Sequence, residues 1–241
     1  MFETFNYIFL ERSISTNMEI KNIKEKFKFK NSIALLSKVQ TGGKGRSNNK
    51  WYSNDGDLTC SFLVNQKFKL DNLGQLNILM SVSIIQALKK IYKKLNFKLK
   101  WPNDIYLNEK KIGGILIETN IKKNRINYLI VGVGINIISS PNNLNYETTK
   151  LSEFSKNLEP KKIFFSITDY IFKNINDWEE NGFSFYKKTW LKNSKDLGKE
   201  ILIRKDNKFF NGKFLKIDDN GSLMIKTKNE NLLVFPFGEV I

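Results

Sequence analysis

The apolar residues of this 241-residue chain follow two kinds of spacing, and the change between them limits the folds that the chain can adopt. Up to Trp190, short apolar runs alternate with two long segments at helical spacing, residues 73–95 and 160–178. Beyond Trp190, only short apolar runs separated by turn residues occur, which is typical of closely spaced strands. We therefore predict an α/β (α+β) domain over residues 1–195 and a small barrel-like domain of strands over residues 196–241.

The remaining elements follow from the same patterns. Residues 17–29 have helical spacing and predict a further helix, which Thr16 or Asn17 would cap. The turn residues Asn108 and Glu109 connect two apolar runs and predict a hairpin. The predicted strands are residues 32–39, 58–64, 98–101, 105–107, 112–118 and 128–137 in the first domain and 200–204, 209–217, 222–226 and 232–235 in the second.

The composition excludes several kinds of chemistry. The chain has no histidine, which excludes Ser-His-Asp and Cys-His catalysis and any zinc site that contains histidine. Its single cysteine, Cys60, excludes an internal disulfide and a cysteine-cluster metal centre. Any catalysis must therefore use carboxylates, amines and backbone amides, with a cation bound by oxygen atoms as a further option.

The formal net charge of +16 raises the alternative of a non-enzymatic nucleic-acid-binding protein. Only four of the 40 basic residues are arginine, and the lysines are spread along the chain. Because arginine is the residue that clamps phosphate and reads bases, this distribution favours a solvated surface over a nucleic-acid footprint. We expect no nucleic-acid partner.

The hydropathy pattern predicts a cytoplasmic protein without a membrane partner. No apolar run approaches the roughly 20 residues of a membrane helix. The N-terminal residues lack the basic start and apolar stretch of a signal peptide.

A loop rich in glycine, residues 42–51, is the first candidate binding segment. Glycine at three of its first four positions allows backbone amides to converge on an anion, and Lys44, Arg46 and Lys50 add positive charge. Trp51 offers a flat surface for a ring. The alternative is a flexible solvated loop. Because arginine is so scarce in this sequence, Arg46 favours a role in binding, since a guanidinium group can clamp a phosphate or carboxylate.

Three further segments place polar residues beside apolar strands. In residues 100–106, an Asn-Asp pair follows Pro102 at a strand end, and Lys111 begins a strand that contains two adjacent glycines. Residues 132–136 interrupt an apolar strand with glycines and end on an amide, and residues 15–17 read Ser-Thr-Asn. Taken singly, residues 102–104 are explained better as a plain turn, and residues 110–111 as an exposed hairpin tip. Residues 132–136 alone also suit a bulged core strand, and residues 15–17 a helix cap.

Taken together and in this order, the segments resemble the bacterial biotin–protein ligases, which attach biotin to the carrier domain of acetyl-CoA carboxylase. The resemblance covers most of the chain, including the strand-rich C-terminal part. The matching residues are Ser15-Thr16-Asn17, Gln40, Gly43-Lys44-Gly45-Arg46, Trp51, Lys100-Trp101-Pro102-Asn103-Asp104, Lys111 to Leu116 and Gly132 to Asn136.

The resemblance implies a fold and a reaction. The fold would be a mixed sheet with flanking helices, like that of class II synthetases, followed by a small SH3-like β-barrel. The reaction would join biotin to ATP as biotinyl-5′-AMP and then pass the biotinyl group to a carrier lysine. ATP and Mg²⁺ would be required, and charge stabilisation would replace imidazole chemistry.

The resemblance also implies roles for individual residues. The catalytic residues would be Lys111, Arg46 and Asp104, with Lys111 contacting both the biotin carboxylate and the α-phosphate. The residues implied at biotin are Ser15, Thr16, Asn17, Gln40, Gly43, Lys44, Gly45, Arg46, Lys111, Gly113 and Gly114. Those implied at ATP and the adenylate are Arg46, Trp51, Asn103, Asp104, Lys111 and Asn136. Trp51 would pack on adenine, and no metal ligand is assigned.

The chain departs from the family pattern in two respects. Lys44 replaces the first arginine of the loop, and Asn48 and Asn49 replace a later Gly-Arg, which would weaken retention of the adenylate because lysine lacks the guanidinium fork. The Ser-Thr-Asn segment comes so early that no helix-turn-helix fits before it, so we expect no repressor function.

Two questions stay open, and one property of the loop is predicted. A lipoate–protein ligase of the same superfamily is the alternative enzyme, although residues 43–46 and 100–104 favour biotin. The oligomeric state is undetermined, with a homodimer among the options. We expect the loop at residues 42–50 to be mobile without ligand.

Overall fold

The larger of two sheets forms the centre of the molecule. The computed structural model describes residues 5–27, 30–142 and 144–241. Within them, this sheet has the order β1-β2-β3-β8-β7-β6-β5, and β4 pairs with β8. β1 and β2 run parallel and all other pairs are antiparallel, so the predicted mixed sheet is confirmed. Its strands are β1 (Asn6–Ser13), β2 (Ile33–Gln40), β3 (Leu58–Val64), β4 (Phe68–Lys69), β5 (Phe97–Lys100), β6 (Asp104–Leu107), β7 (Lys110–Lys122) and β8 (Arg125–Ile135).

Helices cover both faces of this sheet. Successive strand residues point to opposite sides, so both faces carry apolar side chains that helices can cover. On one face, Ile20 of the first helix packs with Leu35 and Ile130 in a small cluster. On the other face, two long helices cover the main core, where Phe62 stacks on Phe164 with ring centroids 5.5 Å apart. The helices are α1 (Thr16–Phe27), α2 (Leu73–Ile91), α3 (Pro160–Asn181) and α4 (Ser184–Asn193).

A smaller antiparallel sheet follows α4, in the order β12-β11-β10-β9-β13. The fully buried Trp190 of α4 meets Phe214 edge to face, with ring centroids 6.2 Å apart. This contact joins the two sheets through one continuous core. The strands are β9 (Glu200–Lys205), β10 (Lys208–Ile217), β11 (Leu223–Lys226), β12 (Leu232–Phe235) and β13 (Glu239–Val240).

A turn of the smaller sheet packs tightly on the start of α2. Gln75 Nε2 donates a hydrogen bond to the carbonyl oxygen of Asp219 at 2.7 Å. A Cβ atom on Gly74 would lie 2.2 Å from the carbonyl oxygen of Asn220, so only glycine allows this approach. The two sheets are therefore held together by backbone packing as well as by the core.

The predicted strands, the hairpin and the long helices are confirmed, with shifted ends. The helix predicted over residues 73–95 stops at Ile91, because Tyr92 leaves helical geometry (φ −112°, ψ 66°). α1 begins at Thr16, so Thr16 and Asn17 lie in its first turn instead of capping it. Residues 28–29, the predicted end of that helix, lie outside the described residues.

Four of these elements were not predicted: β1, α4 and the two-residue strands β4 and β13. The smaller sheet agrees with the predicted C-terminal β domain, whereas its SH3-like form and the boundary at residues 195 and 196 stay proposals. Among the helices of the described residues, none is long and apolar enough to cross a membrane.

Gly74→Ala is expected to lower the free energy of unfolding by about 1–3 kcal/mol, because the added methyl group overlaps a backbone oxygen. Helix propensity alone predicts the opposite sign, a gain of about 0.5–1 kcal/mol. Urea denaturation measures the difference. Gly45→Ala is the control, since its Cβ would have its nearest neighbour at 3.5 Å. A stabilised Gly74→Ala protein would contradict the close packing.

Candidate functional site

Glycines form the floor of a large cavity on the α1 side of the larger sheet. Gly132 and Gly134 of β8 and Gly114 of β7 line it, and Gly114 pairs directly with Gly134. A Cβ on Gly132 would lie 2.4 Å from Asn17 Oδ1, and one on Gly134 would lie 2.3 Å from the Trp51 ring. The missing side chains therefore let Asn17 and Trp51 lie directly on the sheet.

A group of neutral, hydrogen-bonded side chains forms one end of this cavity. Gln40 Oε1 accepts hydrogen bonds from Thr16 N at 2.7 Å and from Thr16 Oγ1 at 3.0 Å. Ser61 Oγ lies 2.7 Å from Thr16 Oγ1 and 2.6 Å from Asn17 Oδ1. These groups suit an uncharged ligand that carries both donors and acceptors.

A close ion pair lies further along the same wall. Lys111 Nζ is 2.8 Å from Asp104 Oδ1, and the two side chains are only 15% and 25% exposed. The register of β6 against β7 shifts between Ile105 and Tyr106, which marks a β-bulge. Since a bulge redirects the side chains on one side of it, it explains how Lys111 reaches the face that carries Asp104.

The segment at residues 146–149 supports Lys111 from its other side. The Lys111 N–H donates to the carbonyl oxygen of Glu147, and its carbonyl accepts from Thr149 N, both at 3.0 Å. The Tyr146 ring centroid lies 5.0 Å from Lys111 Nζ, within the range of a cation–π contact. Asn136 Nδ2 donates to the Thr149 carbonyl at 3.0 Å and so anchors this segment.

The glycine-rich loop folds back on itself above the cavity. Trp51 N donates to the carbonyl oxygen of Gly43 at 2.9 Å, and Gly45 N donates to that of Asn49 at 2.7 Å. Between these bonds, a single 3₁₀ turn begins at Arg46. The loop therefore carries Arg46 and Trp51 to the cavity wall. Its mobility without ligand stays a prediction.

Residues of the smaller sheet close the opposite side of the cavity. Arg46 Nη1 donates to the carbonyl oxygen of Gly238 at 3.0 Å, and the neighbouring Glu239 pairs with Arg204. The cavity has a volume of about 1060 Å³. That volume can hold a nucleotide and a second small molecule together.

The cationic part of the cavity is partly desolvated. Burial lowers the pKa of the Arg46 guanidinium, and the carboxylates of Glu239 and Asp104 oppose the shift. Burial also lowers the pKa of Lys100, against the opposing effect of Asp196 and Asp104. Because a bound anion would stabilise these cations, this part of the cavity favours an anionic ligand.

The donor set fits a magnesium ion that arrives with a nucleotide. No group of three or more acidic or cysteine side chains that could hold a metal occurs in the described part of the chain. Mg²⁺ is usually held by one or two carboxylates together with substrate phosphates. Asp104 can supply such a carboxylate. The side-chain NH₂ of Asn103 donates to the Ile115 carbonyl, which leaves the Asn103 side-chain oxygen as a neutral ligand.

Most of the predicted site residues line the cavity. They are Ser15, Thr16, Asn17, Gln40, Lys44, Gly45, Arg46, Trp51, Asn103, Asp104, Lys111 and Gly114. Gly43, Gly113 and Asn136 were also predicted as contacts but do not line it. Gly113 faces the core, where a Cβ would lie 2.7 Å from the Gly134 carbonyl. Asn136 is buried and uses its amide on residue 149, so its position indicates a supporting role.

Several residues at the site escaped prediction. Ser61 and Glu118 contact the polar group from behind, and Tyr146 and Gly238 lie at the cavity itself. Ser61 left a signal, because it is a hydroxyl in an otherwise largely apolar strand. The others left none, since their positions depend on which strands and loops meet in the fold.

Comparisons with known proteins agree with this geometry. Residues 10–136, which are 127 of the 241 residues, match the family model of the biotin/lipoate A/B protein ligase family. A biotin protein ligase from Aquifex aeolicus, solved in complex with biotin and ATP, has a TM-score of 0.82 and 29% identity. The alignment covers 98% of this chain and 97% of that one.

Two curated relatives extend the comparison. The bifunctional ligase/repressor BirA of Bacillus subtilis is 31% identical over 204 residues, which cover 82% of this chain. This chain spans 62% of the length of that relative. The biotin–[acetyl-CoA-carboxylase] ligase of Paracoccus denitrificans is 25% identical over 224 residues, which cover 90% of this chain and 92% of the relative.

Gly134→Ala is expected to displace the Trp51 indole, whereas Gly114→Ala should leave it in place. A Cβ at Gly134 would overlap the ring at 2.3 Å, but one at Gly114 would meet it at 3.6 Å, an ordinary contact. Tryptophan emission should therefore change in the first variant only. The change should vanish when Gly134→Ala is combined with Trp51→Phe. An equal effect of both alanines would refute the proposed floor.

Proposed function

The chain belongs to the biotin/lipoate A/B protein ligase family, and we propose that it is an ATP-dependent biotin–protein ligase that forms AMP. It would join biotin and ATP as biotinyl-5′-AMP and transfer the biotinyl group to a lysine of the biotin carboxyl carrier domain of acetyl-CoA carboxylase. One observation carries the proposal: Lys111 lies in one cavity between a neutral polar group and a desolvated cationic wall.

The first step is a displacement at the α-phosphate of ATP. A carboxylate oxygen of biotin attacks this phosphorus, the bond to the β-phosphate oxygen breaks, and pyrophosphate leaves. Both reactants are anions, so the main requirement is cationic stabilisation and positioning. Lys111 and Arg46 would supply the charge, with Lys44 adding to it and Trp51 packing on the adenine.

The second step transfers the acyl group to the carrier. The neutral lysine amine of the carrier attacks the acyl carbon, the bond from that carbon to the AMP oxygen breaks, and AMP leaves. The amine must lose a proton, and Asp104 is the carboxylate placed beside Lys111 to accept it. ATP would bring Mg²⁺, which neutralises phosphate charge when bound, and Asp104 and Asn103 would be its protein contacts.

The polar end of the cavity supports biotin over lipoate. The ring system of biotin contains a cyclic urea with two N–H donors and a carbonyl acceptor, and Ser15, Thr16, Asn17 and Gln40 line that end. The dithiolane ring of lipoate has no hydrogen-bond donor. A buried polar wall would then be left unpaired, which costs affinity.

The cellular setting is also proposed. We place the protein in the cytoplasm, with the biotin carboxyl carrier domain as its macromolecular partner. The division into residues 1–195 and 196–241 would assign the reacting groups to the first part and one wall of the cavity to the second.

Lys111→Ala is expected to lower the rate of biotinyl-adenylate formation by at least about 100-fold, because the charge beside the reacting groups is removed. Lys110→Ala is the matched control, since this lysine is more exposed and pairs with Glu147 outside the ion pair of Lys111. Biotin-dependent exchange of labelled pyrophosphate into ATP measures the first step. Labelling of a carrier domain, detected with streptavidin, measures both. Unchanged exchange in Lys111→Ala would refute its role.

The same assay separates the alternatives. An adenylate formed from lipoate but not from biotin would identify the other branch of the family. Tight binding of nucleic acid with a steep salt dependence, and no adenylate from either acid, would identify a binding protein instead.

A further inference from the structure

A chain of hydrogen bonds runs behind the ring-binding wall and ends at the protein surface. Asn17 Nδ2 donates to Glu118 Oε2 at 2.7 Å, and the carboxylate belongs to an exposed residue of β7. Asn17 Oδ1 is 2.6 Å from Ser61 Oγ, which is 2.7 Å from Thr16 Oγ1. Thr16 in turn contacts Gln40. Glu118 and Ser61 do not line the cavity, so neither would touch a ligand.

The number of available hydrogen atoms determines which group donates and which accepts at each of these hydrogen bonds. A carboxylate can only accept, so Glu118 forces Asn17 to turn its NH₂ group toward β7 and its oxygen toward Ser61. An amide oxygen also only accepts, so the single hydroxyl hydrogen of Ser61 is used on Asn17. Ser61 therefore has no hydrogen left for Thr16.

The same count determines what the wall presents to a ligand. The hydroxyl hydrogen of Thr16 goes to Ser61 or to Gln40 Oε1, and in either case it is used inside the protein. Thr16 then offers only an acceptor to the ligand. The backbone N–H of Thr16 holds Gln40 Oε1, so Gln40 offers its NH₂ group as a donor. An acceptor beside a donor matches the N–H and carbonyl groups of a cyclic urea.

We propose that Glu118 and Ser61 are positioning residues that fix the donor and acceptor pattern of the biotin-ring wall, an inference that rests on the proposed function. Without Glu118, the Asn17 amide can turn over and donate to Ser61. The Ser61 hydrogen then moves to Thr16 and occupies a lone pair that would otherwise accept from the ligand. Without the Ser61 hydroxyl, Asn17 Oδ1 and Thr16 Oγ1 both lose their hydrogen bond to Ser61, and only the contacts of Asn17 with Glu118 and of Thr16 with Gln40 remain.

Steady-state kinetics and direct binding of biotin test this role. Ser61→Ala is expected to raise the Kd and KM for biotin about tenfold. Glu118→Ala should raise them several-fold, and Glu118→Gln should restore values near wild type, because a glutamine oxygen still accepts from Asn17. The KM for ATP and kcat should stay within about twofold, since Lys111 takes no part in these hydrogen bonds.

Controls separate positioning from general damage. Glu11→Ala removes another exposed strand carboxylate, one that pairs with Lys38, and should change neither constant. Loss of biotin binding in Glu118→Gln equal to that in Glu118→Ala would overturn the proposal, as would a parallel rise of the KM for ATP. Unaltered biotin binding in Ser61→Ala would also overturn it. A wild-type protein that neither binds nor adenylates biotin would instead reject the proposed function.

Discussion

The alternation of side chains along β7 and β8 is the constraint on which the site depends. Because every second residue faces the same way, Gly114 on one strand and Gly132 and Gly134 on the other open a continuous strip without side chains. The same alternation sends the intervening valine and isoleucine residues into the core under α2 and α3. One pair of strands thus supplies both a packed core and a floor on which Asn17 and Trp51 can lie.

The β-bulge in β7 interrupts this alternation at the point where a regular strand would turn Lys111 away from Asp104. A regular strand fixes the face of each side chain, so an ammonium group cannot be moved to the other face by a change of rotamer. The register shift beside Tyr106 solves this with one extra residue, and Lys111 then meets Asp104. The ion pair is therefore a product of backbone register, and the segment at residues 146–149 keeps that register by pairing with Lys111.

The sequence predicted the elements with strong periodicity, such as α3 and β3, and the polar segments that follow them. It also placed Lys111, Asp104 and Arg46 at one site, through the resemblance to the ligase family. It could not predict β1 or the role of Gly238, because edge pairing and contacts between distant segments depend on the completed fold. The same limit explains Asn136, whose motif is specific but whose side chain anchors a neighbouring segment.

The contact between Arg46 and Gly238 can form only late in the synthesis of the chain. The two residues are 192 positions apart, so the complete larger sheet has been synthesised before the carbonyl that receives Arg46 exists. Until Gly238 is in place, Arg46 lacks this acceptor and the cavity lacks the wall formed by residues 204–207 and 237–241, so the enclosed site depends on these late residues.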